Sequence, residues 1–486
     1  YSVKNEAGAP LPFHDNTDGA TRIREAYSLT AAEPFHAELP AGEYTLTIER
    51  GKEYLPLTRT LTCVAGQTRE YSFRLLRLFD LNKLGWYSAD CHVHTPLEQL
   101  PAAMLADDVN VAFPITAWTI SDQQPPANLR GTHPVPEKGE LVTIDPTHVY
   151  WNLNTEYEIF RVNDVAHTLG AFLILGHTTP FTQLGPPVTE IARVAHEQGA
   201  VLDWEKHSWP WSNMLVPVAG IDVIQLTDNS MWRQATINTH LWGRQPPPWL
   251  PDPLKSVRAF VDYGFDIYYA VLNCGFNLRV SGGTANGVHP VPMGHSRVYA
   301  HVDGDFSYEK WMEAFKAGRS FCTNGPALLM SVDGKPPGTR VALKPGENKK
   351  VAVNLEVYTT GTLATVEVIV NGKVIPVAAG PPERGMSGHR GRRRIQVDVE
   401  GTTWIAARCF DDMPEHNPRY AHTSPVWFDD PTRPVRPTAA QIDYLIGDVE
   451  RQIERGKDVL SSEAMAEYEQ AVKMYRAIKQ RSDAGK

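Results

Sequence analysis

Gly85-Trp86-Tyr87-Ser88-Ala89-Asp90-Cys91-His92-Val93-His94-Thr95 is the stretch on which the reading of this chain turns. It begins with bulky and small residues and ends on an acid and two histidines. In an extended strand, residues two apart point to the same side. His92 and His94 therefore present two imidazoles in one direction, and Asp90 shares their face. Neutral imidazole is a common ligand for zinc and other divalent ions. A carboxylate beside it either binds the same ion or orients a histidine. A lone His-x-His also arises by chance, so its weight depends on its surroundings.

Those surroundings read as alternating strand and helix. Phe172-Leu173-Ile174-Leu175, Ala200-Val201-Leu202 and Val223-Ile224-Gln225-Leu226 are short apolar runs, each followed by polar or ionisable residues. Val188 to Gln198 carries apolar residues at helical spacing and closes on Gly199, a residue suited to a helix C-terminus. The alternation predicts a parallel β/α architecture over residues 81–326. In such folds the active site lies at the carboxyl ends of the strands. Chemistry is therefore expected in the ionisable residues directly after the apolar runs.

Asp203-Trp204-Glu205-Lys206-His207 places four ionisable residues in five positions after one such run. Burying them is costly unless they are paired or bound. They form either an internal salt-bridge network or part of a site. In the second case Glu205 or His207 binds metal, and Lys206 contacts an anionic substrate or a developing oxyanion. His177 follows Leu175-Gly176 and offers a third imidazole. Glu156, in Asn154-Thr155-Glu156-Tyr157-Glu158, offers a carboxylate. The expected metal ligands are thus His92, His94, Glu156, His177 and His207. Glu205 or Asp228 is the expected general base, provided it reaches the nucleophilic water. Ser281 to Pro290 is glycine-rich, which permits a tight loop with exposed backbone donors. It leads to His295 and Arg297, where Arg297 either holds a substrate oxyanion or makes a structural ion pair. Trp118, Trp151, Trp204, Trp209, Trp211 and Trp232 lie near these motifs and either wall an apolar pocket or pack the core.

The flanks read as β. In residues 1–80, Pro40-Ala41-Gly42 is a turn before the alternating Glu43 to Ile48, and Tyr71 to Leu75 alternates again. A small N-terminal β-sandwich is expected. Residues 327–430 return to β, with an Asn371-Gly372 hairpin turn and clean alternation at Ile395 to Val399, and form a second expected sandwich. Gly385 to Arg394, rich in glycine and arginine, reads as a mobile solvated loop. Residues 431–486 begin with a stiff proline-rich linker and continue as two amphipathic helices, capped by Thr438 and by Ser461 or Ser462. That hairpin docks on the body or on a second copy in a homo-oligomer.

Composition narrows the function classes. The chain has 486 residues and a formal net charge of −9, with 42 % hydrophobic and 21 % charged residues. The acidic balance argues against nucleic acid, whose phosphates need a basic patch. No apolar run reaches the roughly 18–20 residues of a membrane span. The five cysteines are scattered and form no Cys-x-x-Cys pair, which weakens a disulfide framework or a cysteine-rich zinc site. A start at Tyr1 and β accessory modules lead to the expectation of a processed, periplasmic or secreted protein.

Gly85 to His94 resembles the opening motif of the PHP (polymerase and histidinol phosphatase) metallohydrolases, above all the branch that includes carbaryl hydrolases. Asp203 to Lys206, Leu272-Asn273-Cys274-Gly275-Phe276 and Ala317 to Pro326 are similar to that branch as well. The resemblance spans about Leu39 to Pro425. It implies a distorted (β/α)7-type barrel that holds one to three divalent ions, with zinc first and manganese or iron next, and hydrolyses a small-molecule substrate. The pattern departs at Ile115-Thr116-Ala117-Trp118, where the family carries Asp-His, and at Thr284-Ala285-Asn286, where it carries an Asp. Two ligand positions are thereby lost, which favours a mononuclear or reorganised site. The expected activity is hydrolysis of an ester, carbamate or amide-like bond. The rivals are a metal-dependent phosphoesterase and a degenerate carbohydrate- or surface-binding protein.

Overall fold

Val201-Leu202-Asp203-Trp204-Glu205 sorts its side chains by parity. Leu202 and Trp204 enter one hydrophobic core, Val201 enters another, and Asp203 and Glu205 follow the side of Val201. The same sorting repeats in Val223 to Thr227, where Ile224 and Leu226 join the first core and Val223 the second. These strands therefore have an apolar outer face and an inner face that turns from apolar to polar along the chain. In the computed structural model, the residues described are 2–4, 36–129, 134–231, 240–250, 255–289, 291–378, 389–412 and 417–483.

The molecule is a multidomain α/β protein built mostly of strands, with seven α-helices among the described residues. One sheet runs in the order Arg279–Gly282, Val223–Thr227, Val201–Trp204, Val165–Leu175, Thr155–Val162, Ala117–Ser121. A larger sheet contains Trp86–Val93, flanked by Val111–Pro114 in parallel and by Arg297–His301 in antiparallel. The chain crosses between the two sheets at Ile115-Thr116. Among the described residues neither sheet closes into a barrel. The parallel β/α expectation holds for Val201–Trp204, Val223–Thr227 and Arg279–Gly282. It fails at Thr155–Val162 and Val165–Leu175, an antiparallel pair turning through Asn163 and Asp164, both at positive φ.

The larger sheet continues past the central region, because Ser320–Thr323 pairs with Arg419–Thr423. Residues 327–430 place Ala327–Val332, Asn348–Thr359 and His389–Glu400 in a second layer that shares one hydrophobic cluster with Thr362–Val370 and Thr403–Asp412. The expected loop over Gly385 to Arg394 is corrected in part. His389–Glu400 is a strand paired along its whole length with Asn348–Thr359, and the exposed Arg392 and Arg394 share one of its faces; 385–388 lie outside the described residues. In the N-terminal region Gly42–Ile48 pairs with Leu57–Cys63 and Ser2–Lys4, and among the described residues these form one three-stranded layer. Tyr71 to Leu75, expected as a strand, has no strand partner; Phe73 instead packs beside Tyr44 and Leu46.

Helices Ala439–Gly456 and Ser462–Asp483 dock on the body of their own chain. Thr438 and Gln441 form a capping box on the first, and Ser461 accepts from the Ala464 N–H on the second. Glu467 takes bonds from the backbone N–H groups of Val188 and Thr189 at 2.9 and 2.7 Å. It thus caps Thr189–Glu197, a helix whose own N-cap residue supplies no side-chain bond. No helix among the described residues is long and apolar enough to cross a membrane.

Candidate metal centre

His92 is the next-to-last residue of Trp86–Val93, a strand whose every residue is buried, and His94 follows directly after it. The loop after Gly282 lies along this segment like a further strand. Ala285 N–H donates to the His92 carbonyl at 2.7 Å, and His94 N–H donates to the Asn286 carbonyl at 2.6 Å. Glycine is required for this approach. A Cβ on Gly283 would stand 2.5 Å from the His92 Cβ, and one on Gly287, at φ +112°, would overlap the His94 carbonyl carbon. Asp90 anchors the loop by accepting from Thr284 Oγ1 at 2.5 Å and Gly294 N–H at 2.8 Å. It also accepts from the N–H groups of His92 and Thr284, and burial still pushes its carboxyl up to about 6.

The opposite wall comes from Thr155–Val162. Glu156 Oε2 lies 3.1 Å from His94 Nε2 and 3.6 Å from His92 Nε2, and the two Nε2 atoms are 3.0 Å apart. All three side chains are buried, and their ligand atoms lie within 4.8 Å of one another. Burial lowers the His92 pKa to about 3, so the ring is neutral and its lone pair free to bind. Burial works the other way on Glu156, but the neighbouring imidazoles hold it well below the usual carboxylate range.

Glu205 Oε1 lies 3.3 Å from His92 Nδ1, the ring nitrogen that does not face Glu156, and also contacts Lys206 Nζ. A carboxylate there fixes the orientation of a metal-binding imidazole. Lys206 Nζ stands 5.6 Å from the Trp209 ring centre. His207 Nδ1 is 3.6 Å from Asp228 Oδ2, with its ring against Phe260 and Tyr263. Burial, reinforced by the charges of Arg244 and Lys206, lowers the His207 pKa to about 3. Asp228 is raised to about 6 by burial, against the pull of Lys206 and the Ser230 N–H.

The donor set of two imidazoles and one carboxylate suits zinc, manganese or iron. Among the described residues, Glu156 Oε2, both Glu205 carboxylate oxygens and His92 Nδ1 are buried without a hydrogen bond of sound geometry. Buried polar atoms are rarely left so. A cation between His92, His94 and Glu156 would account for Glu156 Oε2, and these three residues fit one divalent ion.

The other expected residues stand differently. His177 is buried but both ring nitrogens have protein partners, Thr155 Oγ1 at 2.9 Å and the Thr179 carbonyl at 2.9 Å, and it is not in the three-residue cluster. Arg297, expected at a substrate oxyanion, donates instead to the carbonyls of Gly294, Asp108 and Asp107 at 2.5, 3.0 and 2.9 Å. Those bonds tie the end of helix Leu100–Asp107 to the Asp90 loop. Trp204 and Trp211 belong to the hydrophobic core, whereas Trp118 packs on His94 with ring centres 5.0 Å apart. Trp232 lies outside the described residues.

Two residues went unassigned in the sequence. Glu158 is two along from Glu156 and on the same face; burial and the Glu156 charge raise its carboxyl to about 8. The Glu-x-Glu spacing in a strand was the available signal. His289 feels the charges of Lys206, His94 and Glu156 from the loop, and burial lowers its pKa to about 4. Nothing in its local sequence separates it from the other loop residues.

No protein-family model matches the chain, and no curated protein matches it. Nine solved chains match; one is a Niemann-Pick type C2 protein from Japanese carpenter ant, 10 % identical, with a TM-score of 0.13 over 21 % of this chain and 89 % of that one. A likeness this weak assigns neither fold nor site.

Proposed function

We propose that this chain is a divalent-metal-dependent hydrolase of the PHP type, with a distorted form of that fold, acting on an ester, carbamate or amide-like bond of a small organic substrate. The observation that carries the reading is the buried cluster of His92, His94 and Glu156. Those residues would hold the ion, and Glu205 would orient His92. A bound divalent ion lowers the pKa of its water and polarises a carbonyl. Lys206 holds positive charge beside the cluster, where negative charge develops on the substrate. Asp228, under the field of Lys206, is the base candidate left once Glu205 is committed to His92 and Lys206. Trp118 closes one side of His94 and keeps water from that face. The commitment of Arg297 to backbone carbonyls removes a cation that a phosphoryl group would use, which favours a carbonyl substrate over a phosphoester.

Elemental analysis of the purified protein tests this reading, alongside hydrolysis of p-nitrophenyl acetate. About one divalent ion per chain is expected, with activity lost to a chelator and restored by zinc, manganese or iron. A His92→Ala chain that keeps its full metal content would remove the centre of the proposal.

A further inference from the structure

Arg297 gives all three of its guanidinium nitrogens to backbone carbonyls, and the route from there leads to the metal ligands. Its Nε donates to Gly294 at 2.5 Å, while Nη1 and Nη2 donate to Asp108 and Asp107 at 3.0 and 2.9 Å. One planar group thus joins two segments of chain. Gly294 is held from its other side, because its N–H donates to Asp90 Oδ2 at 2.8 Å. At φ +63° it admits no side chain: a Cβ would stand 2.5 Å from Val109 Cγ2 and 2.6 Å from Arg297 Nη2. Asp90 in turn binds the N–H and the hydroxyl of Thr284 and accepts from the His92 N–H at 3.1 Å. Ala285 and Asn286, which follow Thr284, pair with the backbone of His92 and His94. A shift of Gly294 therefore reaches both imidazoles through hydrogen bonds alone.

The N-terminal layer braces the same turn from outside. Asp108 closes helix Leu100–Asp107 in a left-handed conformation at φ 54°. Its carboxylate meets Arg50 at 2.9 Å and Arg77 at 3.6 Å. The Tyr54 ring faces both guanidiniums, each 5.4 Å from its centre. Lys52 donates to the Asn324 carbonyl at 2.7 Å and stands 3.3 Å from Nδ1 of His295, the residue after Gly294. Arg50 and Lys52 therefore support the Gly294–Arg297 turn at two points, through Asp108 and through His295. Groups that hold a ligand in place govern how firmly its metal is held.

We infer that Arg297 is a positioning residue of the metal centre, and that Arg50 and Lys52 make the N-terminal layer the outer half of a latch that retains the ion. The inference rests on the reading that His92, His94 and Glu156 hold a divalent ion. Arg297 acts on that ion through Gly294 and Asp90, by setting the spacing of the two imidazoles. Opening the latch removes no ligand and speeds the departure of the ion.

Zinc release from the loaded full chain tests it, with excess pyridylazoresorcinol as the coloured acceptor. Arg297→Gln should release zinc about tenfold faster than the parent, the scale of loss when a group supporting a metal ligand is removed. Arg297→Lys, which keeps the charge and a donor, should recover part of that loss. The double variant Arg50→Gln, Lys52→Gln alters half-buried side chains only and should release zinc severalfold faster than the parent. It decides the matter alone if Arg297→Gln does not fold. In cobalt-loaded chains the visible absorption, which reports ligand geometry, should differ between Arg297→Gln and the parent. Glu467→Ala weakens the body at a different helix and should release zinc at the parent rate, which separates positioning from lost stability. Parent-like release from both latch variants overturns the inference, as does release from Glu467→Ala as fast as from Arg297→Gln. With zinc bound to the parent, either result leaves the hydrolase reading standing; a parent that binds no divalent ion overturns both.

Discussion

Arg244 and Asp448 form an ion pair at 2.8 Å with neither side chain exposed to solvent. Asp448 lies on helix Ala439–Gly456, and Arg244 also donates to the carbonyls of His207 and Trp209 at 2.7 and 3.1 Å. The C-terminal hairpin is thereby connected, through one guanidinium, to the backbone of the segment that carries Glu205 and Lys206. Asn213 completes the arrangement by donating to Asp448 at 2.8 Å.

Removal of one partner should be severe. Asp448→Ala leaves Arg244 as a buried, uncompensated charge and should cost about 3–5 kcal/mol of unfolding free energy. Urea denaturation measures it. A loss below about 1 kcal/mol would mean that water reaches the guanidinium and that the pair is not dry.

His177 separates a structural imidazole from a binding one. Because Thr155 and the Thr179 carbonyl take both of its nitrogens, His177→Ala should leave the metal content intact and lower the melting temperature. Glu156→Ala should do the reverse, sharply reducing bound metal. Plasma emission spectrometry on the two variants decides between them, and loss of metal in the His177 variant would return that residue to the ligand set.

His148 gives the pH dependence a sign. Burial opposes its protonation, but a hydrogen bond to Asp145 and the charge of Asp108, 3.8 Å from Nε2, outweigh burial and raise its pKa above 6.5. Its Nδ1 stands 2.8 Å from Asp145 Oδ2. The stabilisation is complete below pH 6.5 and is lost as pH rises through the raised folded value. Asp108 is shifted the opposite way: burial opposes ionisation, but His148, Arg50 and Arg77 hold it below 3.8, so its contribution is present above that value and fades in stronger acid. The stability difference between the parent and His148→Gln should therefore be largest near pH 5–6 and shrink above pH 7. Denaturation midpoints measured from pH 5 to pH 9 check this; a difference that grows with pH would contradict it.

Glu467 should behave as a helix cap supplied from a distance. Glu467→Ala removes the acceptor of the Val188 and Thr189 N–H groups and should cost about 1 kcal/mol, within the range for lost N-caps. Glu467→Gln keeps an acceptor oxygen and should recover most of it. Equal losses in the two variants would assign the effect to packing instead.

Local pattern made much of this legible in the sequence. The ionisable run after Ala200-Val201-Leu202 marked where a buried strand turns polar, and the two-residue spacing of His92 and His94 foretold their shared direction. What local pattern lacks is pairing. Thr155–Val162 and Val165–Leu175 are both apolar enough to pass for parallel strands, and only the left-handed Asn163-Asp164 turn makes them a hairpin. Arg297 looked catalytic because a buried cation after a glycine loop can meet substrate. That its partners are the carbonyls of Asp107 and Asp108 follows from a contact about 190 residues away along the chain. Trp118 read as the loss of a ligand; its packing on His94 gives it a positive part in shaping the centre.

The cap that Glu467 places on Thr189–Glu197 joins residues 278 positions apart. During synthesis the start of that helix emerges from the ribosome long before the group that satisfies it. Final consolidation of the central core therefore waits until Ser462–Asp483 has been made. Any shortened gene that stops before the terminal hairpin would yield a polypeptide with an open seam, a ready substrate for chaperones and proteases.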